Sequence, residues 1–235
     1  MISACIANLG RYNAGVLAAE FLKLPTDEGT VQALLSRIGV DGKRYEEIVI
    51  TDFETDVPGL LPRLVDEYAD IDELNYLASL LDGLDKSDLQ KYEAALSLGE
   101  YTGSMKDLIN LAQNLDCYDF YPGVNNEEDL GYYLIDECDA LTIPENIKGY
   151  FDYEAYGRDA FLNSTSDFAA GGYIENNGAS FIEHYDGREV PEEYRVFSYP
   201  EEAARPSILE TIKQFQAAPP QDHGGGRLAA AHDER

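Results

Sequence analysis

The chain has 235 residues, 44% of them hydrophobic, and a formal net charge of −28 from 45 acidic and 17 basic residues. That length suits one large domain or two to three small ones, and that apolar fraction can bury a core. So negative a chain is repelled by nucleic acid and by anionic membranes, which excludes both as direct partners and points to basic proteins, found quickly by electrostatic steering.

Seventeen Tyr, nine Phe and no Trp supply aromatics for the core, many with a polar tip. Cys5, Cys117 and Cys138 are scattered and form no CxxC pair. With no secretory signal and no 18-residue apolar run, a reducing cytoplasm is the expected setting. Of the histidines, His184, His223 and His232, two fall in a low-complexity tail, so a histidine-based catalytic or metal site is not expected.

In chain order, residues 2–8 read as a first strand ending in the turn Gly10-Arg11-Tyr12-Asn13. Residues 15–24 stay open between helix, which alanine favours, and a second strand, which alternation favours. Asp27 to Ile38 reads as a helix with Val31, Leu34, Leu35 and Ile38 on one face and Gly39 as its stop. Tyr45 to Glu54 alternates as a third strand. This gives a small α/β unit over 1–58 with nine acids against five bases.

Residues 59–125 read as a short-helix unit with thirteen acids and four bases. Ile71 to Leu84 carries Ile71, Leu74, Leu77, Ala78 and Leu81 at helical spacing. Ser87-Asp88-Leu89-Gln90 has the form of a capping box before a second helix to about Leu98. Ser104 caps a third, with Leu108, Ile109, Leu111, Ala112 and Leu115 as its apolar residues.

Residues 126–187 form the most acidic unit, again α/β, with fourteen acids against Lys148 and Arg158. A helix capped by Asn125 or Asn126 puts Leu130, Tyr133, Leu134, Cys138 and Leu141 on one side. Glu128, Asp129, Asp136 and Asp139 fall opposite, and Glu137 lands unexplained at the apolar edge. Pro144 is read as leading a helix from Glu145 to Ala155, ended by Gly157-Arg158. Residues 172–185 suggest a hairpin turning at Asn177-Gly178. The remainder, 188–235, reads as a mostly disordered extension with one amphipathic helix over 206–216 and an HGGGR stretch.

The segment from Asp107 to Ile147 contains no Lys or Arg. Its acids are Asp107, Asp116, Asp119, Glu127, Glu128, Asp129, Asp136, Glu137, Asp139 and Glu145; Asp152 and Glu154 lie just beyond it. Charge runs are usually solvated faces. Here they interleave with Tyr118, Phe120, Tyr121, Leu130, Tyr132, Tyr133, Leu134 and Ile135, which separates the segment from a disordered acidic tail. No HExxH, GxSxG, P-loop or EF-hand pattern occurs. No enzyme activity, cofactor, metal or small-molecule substrate is therefore expected. Asp152, Glu154 and Asp159 meet no metal template, Cys117 and Cys138 read as small buried residues, and Arg158 reads as a structural partner of nearby carboxylates. At one charge per ~1.7 Å of duplex, 28 charges match roughly 48 Å, or about 14 base pairs.

Two separated stretches resemble a known family. Ile6-Ala7-Asn8-Leu9-Gly10-Arg11-Tyr12-Asn13-Ala14-Gly15 resembles the opening of the ArdA antirestriction proteins. Tyr132-Tyr133-Leu134-Ile135-Asp136-Glu137, then Ala140-Leu141, Pro144 and Tyr150 to Asp159, resembles that family's C-terminal region, with its antirestriction motif falling at Gly131 to about Pro144. Ile71-Asp72-Glu73-Leu74-Asn75 is similar to a helix start in its middle. The resemblance covers roughly residues 2–185. It departs at Cys5, where the family has an aromatic, and over 188–235, which has no counterpart.

The resemblance implies an elongated, homodimeric α+β chain of three units. It also implies a DNA mimic whose carboxylates stand in for phosphates in the groove of type I restriction-modification enzymes, protecting incoming mobile-element DNA. The alternative is an acidic adaptor for another basic DNA-binding protein, such as a transcription or conjugation factor. On the mimic reading, reversing Asp129, Asp136 and Asp139 together weakens inhibition.

Overall fold

The computed structural model describes residues 1–57 and 59–200; the helix expected over 206–216 and the HGGGR stretch lie outside the described residues. The described elements form an α+β arrangement with two three-stranded antiparallel sheets.

The first sheet is β1 (Ile2–Asn8), β2 (Ala19–Leu24) and β3 (Ile48–Thr55), in the order β2-β1-β3. The open choice over 15–24 is settled as strand for its second part, Ala19–Leu24, with Leu24 opposite Ile2 and Ala19 opposite Ala7. A register shift between Cys5 and Ile6 on the β3 side interrupts alternation, and Ile6, Ala7 and Asn8 are all buried. The turn expected at Gly10 is a short helix, α1 (Leu9–Asn13), capped by Asn8. Asn8 is fully buried and fully used. Its carbonyl oxygen accepts from Arg11 N at 3.0 Å, and its amide donates to the carbonyls of Ile38 and Gly39 at 3.3 and 2.9 Å. It thereby fastens the end of β1 to the end of α2 (Glu28–Ile38). That helix is capped by Asp27 and stopped by Gly39 at φ +77°, a conformation an L side chain rarely adopts. Val31, Leu34, Leu35 and Ile38 face the sheet as expected.

Three helices come next: α3 (Ile71–Gly83), α4 (Lys86–Ser97) and α5 (Met105–Ala112). Asp70 caps α3. Asp85, rather than Ser87, caps α4 by accepting from Ser87 N and Asp88 N at 2.8 and 2.9 Å. One core runs from the first sheet through these helices, including Ile2, Leu24, Leu60, Leu74, Tyr92 and Ile109, and reaches Tyr118 and Ile174 of the second sheet.

The second sheet was half legible. Its strands are β4 (Tyr118–Pro122), β5 (Ser166–Ala169) and β6 (Gly172–Asn176), in the order β4-β6-β5. The hairpin turns at Ala170-Gly171, where Ala169 pairs with Gly172, and not at Asn177-Gly178. Between β4 and β5 lie α6 (Glu127–Tyr132), a π-helical turn over Tyr133–Glu137, and α7 (Tyr153–Leu162). The helix expected from Glu145 is replaced by irregular chain and a 3₁₀ turn at Lys148–Tyr150. Asp152 starts α7 by accepting from Ala155 N at 2.9 Å, so Gly157-Arg158 sits within the helix rather than ending it.

After β6 the chain continues through 177–200 with little regular structure beyond a 3₁₀ turn at Glu192–Tyr194. Tyr185, Val190 and Val196 of this segment are buried in the main core.

Candidate functional site

The acids singled out in the sequence fall into three groups. The first are structural caps. Ser104 Oγ donates to Asp107 at 2.8 Å and accepts from Asp107 N at 3.2 Å, closing the start of α5. Asn126 caps α6 by accepting from Asp129 N at 2.9 Å. The Asp129 carboxylate answers by accepting from Asn125 N and the Asn126 amide at 3.1 and 2.9 Å. Asp152 caps α7. The Asp152 carboxylate meets an orphan N–H directly, while Asp107 and Asp129 hold the Ser104 and Asn126 caps in place, and all three sit at the positive end of a helix dipole.

The second group is held by cations. Arg158 bridges the two helices, donating to Glu127 of α6 at 3.3 Å and to Glu154 of α7 at 2.6 Å. Lys148 donates to Asp136 at 3.0 Å and lies 3.9 Å from Glu145. Hydrogen bonding to Glu127 and to Asp136 raises the pKa of Arg158 and of Lys148 respectively, so both stay charged. All four pairs lie at the solvent-exposed surface, where screening leaves each contributing little. Arg158 is thus the structural partner the sequence suggested.

The third group is free. Asp116, Asp119, Glu128, Glu137 and Asp139 are exposed, and their carboxylates have no hydrogen-bond or ion-pair partner among the described residues. Asp119 lies on β4 directly across from Glu175 on β6, so two carboxylates share one face of the sheet. Glu175 is satisfied by the Tyr121 hydroxyl at 2.8 Å.

The placement of Glu137 and Asp139 results from a backbone feature hidden in the sequence. A straight helix through Leu141 would set Glu137 against the core. The π turn over Tyr133–Glu137 accommodates an extra residue and rotates the chain beyond it. Ile135 is buried at 3% exposure, while Glu137, Cys138 and Leu141 face solvent. The expected apolar stripe therefore survives at Leu130, Tyr133 and Leu134 and fails at Cys138 and Leu141. Asp139 then ends the helix at φ +51°, a conformation short polar side chains tolerate. Within the motif segment, Tyr132 is exposed and stacks on Tyr153 with ring centroids 4.0 Å apart, and Tyr133 packs on Tyr121 at 4.9 Å.

Two glycines let this surface form. A Cβ on Gly131 would fall on the backbone carbonyl of Tyr153, and one on Gly157 on that of Glu127. Helices α6 and α7 therefore touch backbone to backbone, which brings Glu127, Glu154 and Arg158 within reach of one another. Nothing in the sequence marks either glycine for this particular contact, although Gly131 interrupts a helical pattern without ending it, which is a signal of close packing.

Among the described residues no group of three or more His, Cys, Asp or Glu is placed to hold a metal ion, and no helix is long and apolar enough to cross a membrane. Asp152, Glu154 and Asp159 do not converge. Burial raises the pKa of the Cys117 thiol, while Cys138 is exposed, contrary to its expected burial.

A search of curated proteins found no match to the chain. A family model described as antirestriction protein (ArdA) matches residues 4–175, from the first strand to the last. That span exceeds half of the chain and includes both stretches whose resemblance was noted in the sequence, and the chain belongs to the ArdA antirestriction family.

Proposed function

We propose that this antirestriction protein acts as a DNA mimic, presenting carboxylates where a DNA-binding groove expects phosphates. The partner is a type I restriction-modification enzyme, met in the cytoplasm by a homodimer of the chain, and the protected DNA is that of an incoming mobile element. The three-unit division at residues 58 and 125 belongs to the same reading. One observation carries it: five acids of the Asp107–Ile147 stretch stand exposed and uncompensated on an ordered, aromatic-backed surface. Proteins that bind DNA take much of their affinity from phosphate contacts, so fixed carboxylates compete for the same Lys and Arg side chains without offering a base to modify or a bond to cut.

The geometry sharpens the test. Reversing Asp129, Asp136 and Asp139 would mix a lost cap and a lost ion pair with lost surface charge. The cleaner variant is Glu128→Gln, Glu137→Gln and Asp139→Asn, which leaves caps and bridges intact and keeps a residue tolerant of positive φ at 139. The expected result is inhibition of type I cleavage weakened about tenfold with unchanged thermal stability. Full inhibition by this triple variant would remove the segment from the interface.

A further inference from the structure

Four polar residues among those described are almost fully buried: Asn8, Asn75, Asn110 and Asn114. Asn8 serves the first sheet. The other three lie on α3, α5 and just beyond α5, and all three spend their amides on the main chain after β6. Asn114 accepts from Ile182 N and donates to Ile182 O, both at 2.8 Å. Asn110 accepts from His184 N and Tyr185 N at 2.8 and 2.9 Å and donates to Tyr185 O at 2.8 Å. Asn75 donates to Tyr194 O at 3.0 Å while accepting from Thr26 N, before α2, at 2.8 Å. A buried amide is costly unless its donors and acceptor are met. Asn110 and Asn114 also donate within their own helix, to Lys106 O and Asn110 O at 2.9 and 2.8 Å, and the passing segment meets at least one remaining group of each of the three.

The segment goes on to cross from the helices to the first sheet's unit. Asp72 Oδ1 on α3 accepts from both Val196 N and Phe197 N at 2.7 Å. Ser198 then bonds Gln32 and Glu28 of α2 at 2.8 and 2.6 Å, and the Tyr199 hydroxyl donates to Glu46 O at 2.8 Å. Aromatic packing backs these bonds, with Tyr194 stacked on Tyr76 at 4.2 Å and Tyr185 edge-on to the same ring at 5.7 Å. In every one of these contacts the segment's residue lies beyond residue 175, where the family match ends.

We propose that residues 177–200 are a strap that fixes the first sheet relative to helices α3–α5, with Asp72, Asn75, Asn110 and Asn114 as its positioning residues, and that inhibition depends on the orientation it sets. The functional half rests on the DNA-mimic reading, because carboxylates can match a phosphate track only if their carriers keep fixed positions. The strap's own acids Glu189, Glu192 and Glu193 are exposed beside it. The first sheet and the helices already share apolar core. The strap adds directional bonds that a hydrophobic contact lacks.

The test uses the full chain carrying Asp72→Ala and Tyr194→Ala, which removes the acceptor for two amides and one stacked ring but leaves the three buried asparagines in place. Amide exchange, residual dipolar couplings and displacement of DNA from a type I enzyme are measured together. Exchange at Val196 and Phe197 rises on the order of tenfold or more, while Ile182 and Tyr185 keep their protection. The couplings of β1–β3 and of α3–α5 no longer fit one common alignment frame, and displacement weakens. A single frame retained with both amides open makes the strap a passenger and overturns the inference. Separate frames with undiminished displacement overturn the link to inhibition. Wild-type protein that displaces no DNA sinks the proposed function instead, and the couplings alone then decide the strap.

Discussion

The two sheets of this protein use the same plan and hold it together by different means. Each has three antiparallel strands with the middle position filled by a strand that pairs on both sides. The first is anchored by aliphatic residues, Ile2, Ile6, Leu22, Leu24, Leu34 and Leu35, all nearly inaccessible. The second gives Tyr118 and Ile174 to the same main core and adds, on its α6–α7 side, small clusters centred on Leu130 and Tyr173 and on Ile135 and Tyr153, built largely from aromatics. It relies on a backbone-to-backbone crossing of α6 and α7. The lesson concerns charge. A region that leaves Glu128, Glu137 and Asp139 uncompensated on its surface gains its stability from close approach of chain to chain, since surface ion pairs contribute little.

This contrast can be broken most severely at Gly157. In Gly157→Val the new side chain meets the Glu127 carbonyl and the Gly131 amide, neither of which is a flexible group. A destabilisation of about 4 kcal/mol or more is expected, confined to residues 118–176, with amide protection of β1–β3 preserved. Protection lost equally in both sheets would show that they unfold as one. The counterpart in the first region is Leu35→Ala, on a residue 1% exposed. It should cost about 3 kcal/mol by transfer and cavity terms in urea unfolding, without affecting inhibition.

Arg158→Ala sharpens the comparison from the opposite direction. The guanidinium is 46% exposed, so solvent screening leaves both bridges weak and their loss should leave the urea-unfolding midpoint nearly unchanged. Freeing Glu127 and Glu154 makes the surface more negative, and displacement of DNA at low salt should stay the same or improve. A large loss of stability would make Arg158, rather than the glycine contact, the link between α6 and α7.

The smallest effect is one of pH. In the first region Asp41 accepts three backbone amides, from Lys43, Arg44 and Tyr45, at 2.8–3.0 Å, and these bonds lower its pKa. A carboxylate with a depressed folded-state pKa contributes stability that is present above its unfolded value and is lost as pH falls through the folded one. Asp41→Ala should therefore lower Tm slightly at neutral pH, and the difference from wild type should shrink on acidification below the usual carboxylate range. A difference that grows toward low pH contradicts this sign.

The sequence made strands β1 and β3 and helices α2, α3 and α5 legible because their apolar residues repeat at the period of their element. β1, β3, the helix over Asp27 to Ile38 and the Gly39 stop all depend on residues within a few positions of one another, whereas β2 stayed open because its alternation competes with alanine's helix preference. The acidic unit was harder, for physical reasons. Its π turn depends on no residue type, yet it decides which way Glu137 points. Gly157 looked like a helix end because the partner that needs it, the Glu127 carbonyl, is thirty residues away. Pro144 suggested a helix start, but Asp152 supplies the cap that does start one. The strap carries no periodicity at all, and its partners are buried asparagines on helices whose visible signal is their apolar spacing. At the candidate site the sequence marked an acidic segment but could not sort its acids, since caps such as Asp152, bridges such as Asp136 and free charges such as Glu128 differ only in three-dimensional surroundings.

The most direct measurement of the mimicry itself is competition. A type I restriction-modification enzyme bound to labelled DNA is titrated with this protein at a series of salt concentrations. Stoichiometric displacement at low salt that weakens steadily as salt rises is expected, because the contact is between exposed charges within a Debye length of about 10 Å at 0.1 M. Folded protein that leaves the DNA bound at low salt would contradict it, and would direct the anionic surface to a different basic partner.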